Sequence, residues 1–92
     1  MSVVIVGGNE CMTRQYKELC KEYSFKAKVY PKMSGGLKNI GTPDILILFT
    51  NTIAHKMVRC ALSEVKGRDT RVVRSHTSSM AALRSILEEF TP

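Results

Sequence analysis

Two short runs, Val3-Val4-Ile5-Val6 and Ile45-Leu46-Ile47-Leu48-Phe49, constrain the fold of this chain more than any other feature. Each is continuously apolar, so each expects cover on both faces, and each is too short for a buried helix. They are predicted to be the central strands of a parallel sheet. A third segment alternates Phe25, Ala27 and Val29 with Lys26, Lys28 and Tyr30. One face of it is wet and charged, which suits an edge strand whose lysines discourage further pairing. A fourth strand, Arg71 to Arg74, is short and has charged ends.

The intervening segments carry helical spacing. Met12, Tyr16, Leu19, Cys20 and Tyr23 trace one face of a helix running from Glu10 to Tyr23. A second helix, from about Thr52 to Lys66, has two neighbouring apolar rows: Ala54, Val58, Ala61, Leu62 and Val65 in one, Ile53, Met57 and Cys60 in the other. A helix that needs one buried face yet carries nearly two suggests a partner surface, and a homo-oligomer through this helix or a sheet edge is expected. Gly67 stops it. Leu83, Ile86, Leu87 and Phe90 give the core stripe of a last helix capped near Ser78. Right-handed crossovers with the charged strands outside predict a four-stranded parallel sheet of order 2-1-3-4 with three helices, in one α/β domain over residues 1–92. The stretch from Pro31 to Pro43, with three glycines among basic and polar residues, reads as a mobile loop.

Composition excludes several classes. No apolar run exceeds about five residues, against roughly 20 needed to cross a bilayer. The N-terminus lacks a basic n-region, and Gly7-Gly8-Asn9-Glu10 cuts its apolar run short, so no signal peptide is read and a cytoplasmic location is expected. Three cysteines with no close pair are read as reduced thiols. The net charge of +6 favours an anionic partner. Nucleic acid is not the expected one, because the cations are scattered, no aromatics alternate with them, and no helix-turn-helix or zinc-finger spacing appears.

In a parallel sheet the turns that follow the strands gather at one edge, where such folds bind ligands. Those turns hold Gly7, Gly8 and Cys11, then Thr50 to His55, then Ser75 to Ser79. Gly7-Gly8 could admit a ligand to the backbone beside a helix start, or could simply allow a tight turn. The pair is not a dinucleotide fingerprint, since the third glycine is missing and Tyr30-Pro31 stands where a ribose-binding acid is needed. No Walker loop is present. Phosphorelay chemistry is excluded because Thr50-Asn51 closes the third strand and Asp44 stands at its beginning. Ser75 and His76 are adjacent and so point apart.

Cys11, at a helix start and outside the core stripe, is the candidate reactive thiol, whereas Cys20 and Cys60 fall on apolar stripes. Small cysteine phosphatases share that placement, but Met12-Thr13-Arg14-Gln15-Tyr16 supplies no anion cradle after the thiol. The only two histidines, His55 and His76, both fall in ligand-side turns. With Cys11, and with Met12, Met57 and Met80 close in sequence, they offer nitrogen and sulfur donors that suit soft or borderline metals and haem iron. Neither structural zinc spacing nor a covalent haem motif occurs.

Val4-Ile5-Val6-Gly7-Gly8, Asp44-Ile45-Leu46-Ile47 before a turn closing on Ala54-His55, and Arg74-Ser75-His76-Thr77-Ser78-Ser79 together resemble the bacterial domain of unknown function 2325 family over almost the whole chain. The resemblance implies a small flavodoxin-like or Rossmann-like unit without an agreed activity, some members of which are associated with haem. It puts weight on Gly7, Gly8, His55 and His76; Cys11 maps onto no family signature. The resemblance supports the fold more than the function; on the donor inventory the expected function is non-catalytic binding of a small ligand, with haem sensing, storage or trafficking as the leading form. In that form His55 or Cys11 ligates iron, His76 ligates or lines the pocket, the second helix offers an apolar slot, and Lys56, Arg59 and Arg74 supply cations for the propionates. The alternatives are a regulatory module binding phosphate or a nucleotide through Gly7, Gly8, Thr52 and Ser78, a thiol enzyme centred on Cys11, and a simple oligomeric scaffold.

Overall fold

The computed structural model describes residues 2–30, 43–51, 53, 55–67 and 69–90. Its strands are β1 (Ser2–Gly7), β2 (Lys26–Tyr30), β3 (Ile45–Phe49) and β4 (Arg71–Ser75), and its helices α1 (Thr13–Glu22), α2 (His55–Glu64) and α3 (Met80–Glu89). The strands form one sheet of order β2-β1-β3-β4, and every pairing is parallel. This is the expected α/β architecture. The segment read as a loop from 31 to 43 lies, up to residue 42, outside the described residues, as do Thr52 and Ala54.

Alternation along the two central strands sorts their side chains into two cores. Val3, Ile5, Ile45, Ile47 and Phe49 point to one face and pack with Tyr16, Leu19 and Cys20 of α1 and Leu83, Ile86 and Leu87 of α3. Val4, Val6, Leu46 and Leu48 point to the other and pack with Met57 and Ala61 of α2 and with Val65 beyond it. Each buried aliphatic side chain stabilises this arrangement by about 1.5–3 kcal/mol before the cost of ordering the chain. No helix among the described residues is long and apolar enough to cross a membrane.

Several boundaries differ from the sequence reading, each for a local reason. The segment before α1 is a 3-10 turn, Glu10–Met12, because Asn9 Oδ1 accepts from the Cys11 amide at 2.9 Å and the Asn9 carbonyl accepts from the Met12 amide at 2.9 Å. α2 ends at Glu64, and the chain then tightens: the Val65 and Lys66 amides donate three residues back, to Leu62 and Ser63, before Gly67 at φ 79°. β4 extends one residue further, to Ser75. The cap of α3 is Ser79, whose hydroxyl oxygen accepts from the Ala82 amide at 3.2 Å. Along α2 and the residues flanking it, the buried row is Met57, Ala61 and Val65, and Ile53, Val58, Cys60 and Leu62 are half-buried beside it. The two apolar rows exist, but Met57 joins the buried one, Val58 and Leu62 move to the half-buried one, and Ala54 lies outside the described residues.

Candidate functional site

The strand ends are level. Gly7 pairs with Phe49, and Phe49 with Ser75, so the turns after β1, β3 and β4 leave the same edge of the sheet side by side. Between the last two of these turns and α2 lies a cavity of about 330 Å³ lined by Thr50, Ile53, Val58, Arg74 and His76. Arg74 and Val72 share the α2 face of β4, since residues two apart point the same way. Ile53 and Val58 give the cavity an apolar wall, and Arg74 and His76 give it a cation and an imidazole.

Thr50 organises the polar side. Its amide donates to the Ser75 carbonyl at 2.8 Å, extending the β3–β4 pairing into the turn. Its hydroxyl lies 3.3 Å from the same carbonyl and 3.4 Å from His76 Nδ1. A hydroxyl has one proton; given to Ser75, it leaves Oγ1 to accept from Nδ1–H. In that tautomer Nε2 carries the lone pair and is the nitrogen that can meet a ligand or a metal. The Ser75 hydroxyl donates instead to the Thr77 carbonyl at 2.8 Å, so it is no partner for His76.

The β1 turn is built differently. Gly7 and Gly8 have φ 95° and 91°, and a Cβ on Gly8 would stand 2.8 Å from Tyr16 Cε2 and 3.1 Å from Phe49 Cδ2. The Asn9 amide donates to the Tyr16 hydroxyl at 3.3 Å, and the Cys11 and Met12 amides both donate to Asn9. An anion there would compete with bonds the chain already makes. Tyr16 in turn donates its hydroxyl to the Ser78 carbonyl, and Ser79 caps α3, so the last turn is internally committed as well. Cys11 is exposed on the 3-10 turn, and it does not line the cavity that holds His76.

The candidate residues thus divide. Arg74 and His76 come together, with Thr50, Ile53 and Val58 added by the fold. Gly7, Gly8 and Cys11 belong to the neighbouring turn. Arg59 lines a separate, open groove further along α2, so it does not share a cavity with Arg74. His55 is the first residue of α2, and its side chain lies outside the described residues. The methionine sulfurs do not join the site: Met57 is buried in the α2 core, Met80 packs against the other core, and Met12 Sδ lies 3.9 Å from the Tyr16 hydroxyl. Among the described residues no three His, Cys, Asp or Glu side chains cluster as metal ligands. The sequence reading put Thr50 in a ligand-side turn without giving it a role, although its place one residue past β3, opposite the Ser75–His76 step, is the signal that could have done so.

The family model described as "Uncharacterized protein conserved in bacteria (DUF2325)" matches residues 2–90. No curated protein and no solved structure matches the chain.

Proposed function

We propose, for a chain that belongs to the DUF2325 family, non-catalytic binding of a small anionic ligand with an apolar body in the cavity between the ends of β3 and β4. The observation that carries this reading is the convergence of Arg74 and His76 on a cavity walled by Ile53 and Val58. Its volume of about 330 Å³ falls at the lower end of the roughly 300–1,000 Å³ usual for ligand pockets. The guanidinium provides a planar fork for a carboxylate or phosphate, the imidazole a neutral donor or acceptor, and the aliphatic wall cover for the rest of the molecule.

Haem is the member of that class that the donor set supports best. His76 would hold its iron, the Ile53–Val58 wall would cover part of its ring, and Arg74 would meet a propionate. When bound, haem supplies a redox-active or gas-binding iron. The chain's own part is to hold the His76 tautomer through Thr50 and to fix the propionate end through Arg74. Hemin titration tests this: a saturable Soret shift is expected, lost in His76→Ala. A spectrum unchanged by the protein, or one unaffected by His76→Ala, rejects haem at this site. Displacement of the His76 ring resonances by inorganic phosphate in the absence of any hemin response supports the phosphate-type reading of the same cavity.

A further inference from the structure

The two faces of the sheet are unequally covered. Among the described residues, α1 and α3 lie on one, whereas α2 is the helix on the other, over β1 and β3. β4 records the difference. Val73 turns to the two-helix side and packs against its core, but Val72 turns to the α2 side and is 40% exposed. Beside Val72, Leu62 and Val65 floor an open groove of about 470 Å³, with the exposed Arg59 of α2 and Lys66 of the turn after it along one side. The described lining contains those two cations and no carboxylate.

We propose that this groove docks an acidic amphipathic helix of a partner polypeptide, which lies beside α2 and completes the second helical layer over β4. The apolar floor receives side chains at helical spacing, and carboxylates on the flanks of the incoming helix meet Arg59 and Lys66. Arg59 stands on α2 and Lys66 in the turn just past its end, so the two cations flank the floor at separate points along the groove. A phosphate backbone needs cations but no apolar floor. A membrane surface is met by a broad protruding apolar face, whereas here Val72 is the large hydrophobic side chain exposed among the described residues. A second copy of the chain, seated groove to groove, brings Arg59 and Lys66 against their own kind. The proposal is independent of the ligand cavity, because Val72 does not line it.

The test uses a fluorescent synthetic peptide of about three helical turns, with leucines at i, i+3, i+4 and i+7 and glutamates on the flanks, beside a scrambled peptide of identical composition. Saturable anisotropy is expected with the patterned peptide, weakened by added salt and reduced at least about tenfold by Val72→Glu. Val72→Ala, at a partly exposed position where the fold tolerates change, is expected to weaken binding less, and Lys66→Glu to weaken it and remove much of the salt dependence. Circular dichroism checks that each variant is folded. Equal binding of the scrambled peptide, or indifference to Val72→Glu, overturns the proposal. So does native mass spectrometry in which the wild type self-associates and Val72→Glu separates it, since the groove then belongs to a second copy. Hemin binding of Val72→Glu is expected to match the wild type, so failure of either reading is seen apart from the other.

Discussion

The Tyr16 hydroxyl donates to the Ser78 carbonyl, joining the first helix to the turn before the last across 62 residues of sequence. The same oxygen accepts from the Asn9 amide, so one buried phenol ties the turn after β1 to the start of α3. Tyr16→Phe keeps the ring and its tilted contact with Phe49, 5.6 Å between centroids, but leaves both backbone partners without it. A loss of about 1–3 kcal/mol in urea unfolding is expected, with the slope of the transition unchanged.

Gly8 and Gly67 share a left-handed backbone but not a neighbourhood. At Gly8 a methyl group meets the Tyr16 and Phe49 rings, whereas at Gly67 it meets nothing within 4 Å. Gly8→Ala is expected to cost about 2–4 kcal/mol, adding overpacking to backbone strain, and Gly67→Ala about 1–2 kcal/mol from strain alone. Paired denaturation curves read the difference. Equal losses would show that the ring contact is not limiting.

The thiols should separate by reactivity and by pH. Cys11 is exposed, Cys60 half-buried and Cys20 fully buried, and burial pushes the Cys20 thiol from its ordinary 9.0 up to about 11. Iodoacetamide is expected to label Cys11 first and Cys20 only on unfolding. Below pH 9.0 the Cys20 thiol is neutral in both states and its contribution to stability is intact. As pH rises further the unfolded chain loses the proton first, so stability falls through the interval from 9.0 to about 11. The Tyr23 hydroxyl is also raised above its usual value, by desolvation and then by Glu88. Cys20→Ala therefore isolates the thiol: the alkaline slope should decrease by the share that Cys20 supplies.

Thr50→Val tests how the ligand cavity is organised. The variant keeps shape and removes the oxygen 3.4 Å from His76 Nδ1. About a tenfold loss in hemin affinity is expected, with an altered Soret position and little change in thermal midpoint. Arg74→Ala, on an exposed side chain, is expected under the proposed haem reading to weaken hemin without shifting that band, because its cation would meet the propionate end. If Thr50→Val and Arg74→Ala change the spectrum alike, the assignment of His76 as the oriented ligand fails.

The strand order and both cores were legible in the sequence because their signals are local. Ile45 to Phe49 can be buried on both faces only in the middle of a covered sheet, and Lys26 and Lys28 can stay wet only at its edge. Once the order is known, parallel connections bring the turns after β1, β3 and β4 to one side. The helix boundaries were less legible. Asn9 can cap a 3-10 turn or an α-helix with the same side chain, and Ser78 and Ser79 differ as caps only in where their backbone lies.

What the sequence by itself determined is which segments must be central and which end of the sheet carries the polar turns, since burial and strand direction follow from the pattern of apolar residues. Tertiary structure alone decided that Arg74 and His76 share a cavity with Thr50 while Arg59 does not, that Tyr16 occupies the space above Gly8, and that Val72 lacks the helical cover given to Val73. Those outcomes depend on the rotation of α2 over the sheet and on distances of a few ångströms between segments far apart in the chain, and a periodicity of 3.6 or 2 residues carries no information about either.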